Sequence, residues 1–283
     1  MLKIYIIIPA HNEEVFIKKT LDSLVAQSIK PSKIVVVDDN STDKTRDIIQ
    51  TYCDSYSFVS LVKIISESQH LPGSKVINAF NTGLKTLDND YDILCKFDAD
   101  LIFPQNYLET MVSHFDANPK IGMVGGFCYV LKDTLWQLEN LTNKDHIRGA
   151  LKAYRKECFD DIKGLVPAMG WDTIDELLAQ YYGWLIKTDD SLIVKHLKPT
   201  GSIYHKLAKY KQGQAFYQMR YGFFLTLIAS AKLSLLKKQP KLFRDYIKGY
   251  FNAVISKTPY LVTPDQGDFI RKLRWKKILN KLF

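Results

Sequence analysis

Over roughly the first hundred residues, short β-branched apolar runs alternate with amphipathic stretches, and few folds accommodate that alternation. Residues 4–8, 33–37, 61–65 and 93–97 predict strands. Between them, residues 17–26 place Ile17, Leu21, Leu24 and Val25 at helical spacing. A second helix over 44–52 follows a candidate cap at Ser41 or Asp43, and a third is expected over 75–87. Strands joined by helical crossovers run parallel, so the expected class is α/β, a mostly parallel sheet flanked by helices. In such sheets ligands lie beyond the carboxyl ends of the strands, which makes the residues after each run the informative ones.

The first run ends in Pro9-Ala10-His11-Asn12-Glu13-Glu14. The glycines of a dinucleotide fingerprint and the Gly-rich Lys-Ser/Thr cradle of a Walker loop are both missing there. The second run ends in Asp38-Asp39-Asn40-Ser41-Thr42-Asp43, where one carboxylate can accept hydrogen bonds from a base or ribose and others can cap the next helix. The fourth delivers Asp98-Ala99-Asp100. Hard oxygen ligands of this kind suit Mg²⁺ or Mn²⁺, which bind through one or two carboxylates together with substrate phosphates. Taken singly, each motif is served equally well by acids that cap and solvate a turn.

Taken together and in this order, the motifs resemble glycosyltransferase family 2, the inverting GT-A-type enzymes that use nucleotide sugars. Family members read P-x-Y-N-E, D-D-x-S-x-D and D-x-D at these three places. The resemblance covers about the first 200 residues and implies a GT-A-like, Rossmann-type catalytic domain over 1–200 with a basic helical extension over 201–283. It further implies that Pro9, Ala10, His11 and Glu13 line a nucleoside pocket and that Asp39 bonds the base or ribose. His11 stands where the family has Tyr, leaving an imidazole to stack on the base. Residues 71–81 are similar to the family's Gly-rich segment, which puts Lys75 near the diphosphate. Asp98 and Asp100 would hold the cation against the donor. His196 is a candidate further ligand, better suited to Mn²⁺ than to Mg²⁺, with His205 in a lesser version of the same role.

The family's catalytic base falls in Gly170-Trp171-Asp172-Thr173-Ile174-Asp175-Glu176, with Asp172 favoured over Asp175 and Thr173 where a second acid is usual. The spacing of Asp172 and Asp175 also suits a helix cap. The reaction implied is inverting transfer from a nucleoside diphosphate sugar, UDP ahead of GDP, to a hydroxyl of a glycan or lipid-linked acceptor in cell-surface polysaccharide or glycoconjugate synthesis. Two rivals stay open. A sugar nucleotidyltransferase shares the sheet and metal chemistry but carries a Gly-rich signature after its first strand. A catalytically silent nucleotide-sugar-binding scaffold is motivated by His11 and Thr173.

The net charge of +9 conceals two opposed parts: residues 195–283 hold 19 Lys and Arg against 3 acids, so the remainder is net acidic. A basic segment can meet nucleic acid, anionic lipid or a phosphorylated substrate, and no nucleic-acid motif accompanies this one. The apolar stretch 223–236 is interrupted by Lys232 and falls short of the about 20 residues a spanning helix needs. Farther on, Trp275, Ile278, Leu279 and Leu282 fall on one helical face and Arg274, Lys277 and Lys281 opposite. That pattern predicts either an interfacial helix on an anionic membrane surface or one packed on the catalytic domain. Cys53, Cys95, Cys128 and Cys158 form no C-x-x-C pair and read as reduced, inert thiols. With no small-residue cleavage site after the N-terminal apolar run, the expected location is cytoplasmic, peripheral on the inner face of the plasma membrane.

Overall fold

In the computed structural model, which describes residues 2–65, 73–139, 144–198 and 209–280, the four apolar runs are strands. They are β1 (Ile4–Ala10), β2 (Lys33–Asp39), β3 (Val59–Ile64) and β4 (Ile93–Phe97). The Ile and Val residues of β1 and β2 are buried nearly throughout, as strands covered on both faces require. They pair in parallel in the order β3-β2-β1-β4. α1 (Ile17–Val25), α2 (Thr45–Ser55) and α3 (Ser74–Leu84) make the connections. α1 buries Ile17, Leu21 and Leu24 at the expected spacing. α3 lies so close to the sheet that a β-carbon on Gly83 would sit 2.7 Å from Val37 Cγ2 and 2.9 Å from Ile7 Cγ2. It stops at Leu84, short of the expected Leu87, because the Thr86 hydroxyl and amide both turn back onto the Gly83 carbonyl.

Beyond β4 the sheet becomes mixed. β5 (Leu101–Ile102), β6 (Ile121–Lys132), β7 (Leu135–Leu138), β8 (Leu151–Arg155) and β9 (Leu185–His196) extend it in the order β4-β8-β6-β9-β5, with β7 on β6. β8 runs antiparallel to both β4 and β6, and β9 parallel to β6. α4 (Tyr107–Ala117), α5 (Lys156–Asp161) and α6 (Trp171–Tyr181) pack on this half. The result is the expected α/β class. Because β1 lies between β2 and β4, the winding reverses there, which is where open α/β sheets take their ligands, beyond the carboxyl ends of the strands.

The remaining elements are helices: α7 (Lys211–Gln218), α8 (Gly222–Leu236), α9 (Lys241–Ile255) and α10 (Pro264–Leu279). α7 and α9 cross backbone to backbone. A β-carbon on Gly213 would lie 1.7 Å from the Tyr246 carbonyl oxygen, and one on Gly249 would lie 2.0 Å from that of Tyr210. α10 opens with a capping box between Thr263 and Gln266 and a proline at its first position. It packs against α6 and α8, with Leu273 and Ile278 against the core. Arg274 donates to the Tyr221 hydroxyl at 3.1 Å and Lys277 to Asp145 at 2.7 Å. Of the two expectations for this segment, α10 shows the packed one, although Trp275 and Leu279 keep partial exposure. Lys281 and Leu282 lie outside the described residues, as do His205 and Leu71. Among the described residues no helix is long and apolar enough to cross a membrane. The four cysteines are free thiols, and Cys95, Cys128 and Cys158 are buried.

Candidate functional site

Ala10 and Asp38 pair at the carboxyl ends of β1 and β2, and the two loops that follow are stitched together. Asn12 and Asn40 both take the left-handed conformation that asparagine tolerates, each with φ of 53°. Asn12 Oδ1 accepts from the Thr42 amide at 2.8 Å, and the Asn12 amide donates to Ser41 Oγ at 2.9 Å. The Glu13 amide donates to Thr45 Oγ1 at 2.7 Å and the Lys44 amide to Glu14 at 3.0 Å. Ser41 is thus spent on the neighbouring loop, while Asp43 accepts the Thr45 amide at 3.0 Å at the start of α2.

The acidic pair divides its work. Asp38 is fully buried, accepts the Ser41 amide, and takes Nε and Nη2 of Arg46 at 2.9 and 2.8 Å, so it braces the loop. Asp39 stands at the rim, where its carbonyl lies 2.6 Å from His11 Nδ1. A carbonyl only accepts, so Nδ1 carries the proton and the exposed ring is fixed in orientation. Pro9 and Ala10 close β1 beneath it. Lys75 is half-buried in the first turn of α3, next to Ser74, whose hydroxyl donates to the Pro167 carbonyl at 2.9 Å.

β4 delivers the second group of acids. Asp98 pairs with Lys96, a fully buried lysine that also donates to the Gly149 carbonyl at 2.9 Å. Asp100 is nearly buried, with His196 Nε2 3.5 Å from its Oδ2. Among the described residues Asp100 Oδ1 accepts no hydrogen bond, and neither does Glu13 Oε2, although both atoms are buried. Glu13's other oxygen accepts from Lys198 at 2.9 Å. Burial raises the Glu13 pKa; Lys198 opposes the rise, and the charges of Asp100 and Asp98 add to it. His196 is aimed from behind: its Nδ1 bonds Glu139 at 2.9 Å, and Glu139 pairs with Arg148. Burial disfavours an imidazolium there, but Asp100 and Glu139 outweigh it and lift the pKa to about 9. Cys128, Glu139 and His196 also present ligand atoms within 4.8 Å of one another. Two buried carboxylate oxygens without donors are costly unless something positive meets them. With an imidazole nitrogen facing Asp100, the donor set fits a small divalent cation.

α6 forms the opposite wall. Gly170, at φ 78°, is its N-cap and no side chain caps it, so Asp172 stands inside the first turn and the capping reading of Asp172 and Asp175 falls. Asp172 keeps 34% of its side chain exposed, with His146 Nε2 3.7 Å away. Asp175 is sealed in: it accepts from the Tyr154 hydroxyl at 2.6 Å and from Lys152 at 2.9 Å. Lys152, fully buried, also reaches Glu176 at 3.2 Å and the Asp172 carbonyl at 2.6 Å. His146 Nδ1 bonds Glu176 at 2.9 Å. Burial pushes the Asp172 carboxyl up, but His146, then Lys152 and Arg148, hold it at about 2. Burial and then Lys152 disfavour an imidazolium at His146, but Asp172 and Glu176 outweigh them and lift its pKa to about 9. Burial raises Asp175, with Lys152 opposing.

Lys96 and Lys152 are direct partners across β4 and β8, an unfavourable pairing of like charges that persists because each has its own acid. The Trp171 ring lies 5.3 Å from one ammonium and 5.8 Å from the other, linking the two halves of the site. Sequence reasoning missed both lysines, together with His146, Glu139, Arg148 and Lys198. The available signal was a lysine inside each of two short strands, the otherwise apolar Ile-Leu-Cys-Lys-Phe and Leu-Lys-Ala-Tyr-Arg.

The profile of a family described as Glycosyl transferase family 2 matches residues 5–169. The probable glycosyltransferase YdaM of Bacillus subtilis is 36% identical over 100 residues, covering 35% of this chain and 23% of that protein. The chain thus spans about a quarter of that relative's length. Among solved structures, the mannosyltransferase PcManGT of Pyrobaculum calidifontis, in complex with GDP-Man and Mn²⁺, superposes with a TM-score of 0.60 at 17% identity. That match covers 100% of this chain and 81% of the other. Residues 1–349 of Staphylococcus aureus TarS, in complex with UDP-GlcNAc, give a TM-score of 0.59 at 17% identity over 89% of this chain and 73% of that one.

Proposed function

Because this chain belongs to glycosyl transferase family 2, we propose that it moves a sugar from a nucleoside diphosphate donor to a hydroxyl of a glycan or lipid-linked acceptor, inverting the anomeric carbon with the help of Mn²⁺ or Mg²⁺. The observation that carries this reading is the buried, donorless oxygen of Asp100, whose carboxylate lies 3.5 Å from His196 Nε2, together with a second such oxygen on Glu13. Neighbours that hold GDP-Man with Mn²⁺ and UDP-GlcNAc support a nucleotide-sugar donor, with UDP ahead of GDP in this reading.

Asp98, Asp100 and His196 are the residues that would hold the cation, with Glu139 keeping His196 turned toward Asp100. When bound, such a cation would offset the negative charge of the diphosphate, including that which develops on the leaving group. His11, its ring held by the Asp39 carbonyl, offers a flat face to the base. Asp39 accepts hydrogen bonds from the base or ribose, Pro9, Ala10 and Glu13 floor the pocket, and Lys75 reaches toward the diphosphate as a point charge.

Asp172 serves as the base because it is the partly exposed acid of α6, whereas Asp175 is committed to Tyr154 and Lys152. A carboxylate held at about 2 is a weak base. Its service is to orient the acceptor hydroxyl and to receive the proton late in the displacement. The test is calorimetric titration of UDP with and without Mn²⁺. The wild type should bind more tightly with the metal, and Asp100→Ala should lose that increment; identical titrations for the two proteins would overturn the cation assignment.

A further inference from the structure

α8 is built inside out. Thr226, Ser230 and Ser234, spaced four apart, are its buried side chains along with Leu225. The bulky apolar ones, Phe223, Phe224, Leu227 and Ile228, face outward, and Phe224 is 71% exposed. A helix on a surface meant for water turns its apolar stripe to the core. Small residues at the seam and large apolar ones outside is the arrangement of a helix whose outer solvent is hydrocarbon.

α9 continues the surface. It packs against α8, the Phe251 ring centroid is 5.8 Å from that of Phe223, and Ile255 is 79% exposed. Near the turn between the helices, Leu235 is followed by exposed Lys238, Lys241 and Arg244. An apolar face bordered by cations matches the boundary between acyl chains and anionic headgroups.

We propose that the α8–α9 face docks flat on an anionic bilayer. Phe223, Phe224, Leu227, Ile228, Phe251 and Ile255 enter the headgroup–acyl boundary, and Lys238, Lys241 and Arg244 meet the headgroups. The 15 residues of α8 span about 22 Å, short of the about 30 Å of a hydrocarbon core, so the helix lies in the plane of the interface. A second copy of the chain is the poorer occupant. Residues 195–283 carry 19 Lys and Arg against 3 acids, and a face shared by two copies would bring like charge against like. The surface differs from the one that periodicity suggested, because α10 packs on α6 and α8 with Leu273 and Ile278 turned to the core.

The full chain, sedimented with vesicles of equal parts phosphatidylglycerol and phosphatidylcholine, should pellet with them at low salt and progressively less as salt rises. It should not pellet with phosphatidylcholine alone. Phe224→Ser/Ile228→Ser should weaken partition by about tenfold or more. Lys241→Glu/Arg244→Glu should weaken it by about tenfold or more as well. Trp275→Ser on α10 should change it less than about twofold. Phe224→Trp supplies a readout that does not depend on a disruptive change: its emission should shift to the blue on the anionic vesicles and be quenched by brominated acyl chains. Failure of the wild type to pellet at low salt, undiminished binding by the Ser pair, or an emission spectrum of the Phe224→Trp variant that stays unshifted would each overturn the proposal. So would a dimer in sedimentation equilibrium that the Ser pair dissolves, since a second copy would then cover the face. None of these outcomes bears on transfer activity, which is assayed separately with soluble acceptors.

Discussion

Replacing Lys152 with Met keeps the stem and removes the one ammonium that Asp175 and Glu176 share. Glu176 retains His146 and the Ile147 amide, so the uncompensated charge falls on Asp175, whose side chain is 2% exposed. Holding an aspartate neutral at pH 7, about three units above its ordinary pKa, costs about 4 kcal/mol. That figure caps the loss, because a buried anion less stable than that would simply take up a proton. It agrees with the about 3–5 kcal/mol that follows from breaking a buried ion pair on one side. In the variant the folded-state pKa of Asp175 lies above its unfolded value, so the folded protein binds a proton that the unfolded chain releases. The loss therefore grows as pH rises from about 4 to about 7. Because burial already raises Asp175 in the native protein, urea unfolding should show a deficit of at most about 4 kcal/mol at pH 7 and at most about 1.5 kcal/mol at pH 5. Adding Asp175→Asn, which removes the charge and keeps an acceptor for Tyr154, should recover about half of the deficit at pH 7. A deficit below about 1 kcal/mol at pH 7, or the same deficit at both pH values, would refute the reasoning.

Two further outcomes follow from the same wall of the site. Asp172→Asn should lower kcat by about 100- to 10,000-fold while leaving the dissociation constant of the donor within about twofold; unimpaired turnover would remove Asp172 from the mechanism. His146, raised to about 9 by Asp172 and Glu176, stabilises the fold fully below its ordinary pKa near 6.5, and that contribution is lost as pH rises through about 9. His146→Gln should therefore lie about 3 kcal/mol below the wild type at pH 6 and close to it at pH 10, and a gap that stays constant between those limits would contradict the assignment.

The parallel half of the molecule was legible in the sequence because its strands are short, β-branched and buried on both faces, so β1, β2 and β4 fall where the apolar runs do. β3 begins at Val59, two residues before the predicted start at Leu61, because its pairing with β2 starts at Ile34 opposite Val59 and is set by the partner strand rather than by local pattern. The strand pairing of the mixed half was not legible, since β6 and β9 pair across a stretch that holds β7, β8, α5 and α6 and owe their register to each other. In the candidate site, acids at strand ends could be found because they follow apolar runs. Lys96 and Lys152 could not, since a lysine reads as solvated until the structure supplies a carboxylate and a carbonyl to receive its protons. For α8 the sequence shows how many apolar residues there are but not which side they face, because that depends on Thr226, Ser230 and Ser234 packing inward.

The stitching between the loops after β1 and β2 constrains how this rim can change over generations. Asn12 serves the Thr42 amide and Thr45 serves the Glu13 amide, so a substitution on either loop strands a main-chain group of the other. Viable drift at this rim has to proceed by compensated pairs. A combinatorial library that randomises Asn12 alone will return mostly its parent, while one that varies positions 12, 41, 42 and 45 jointly has room for new loops that keep both sets of main-chain groups paired.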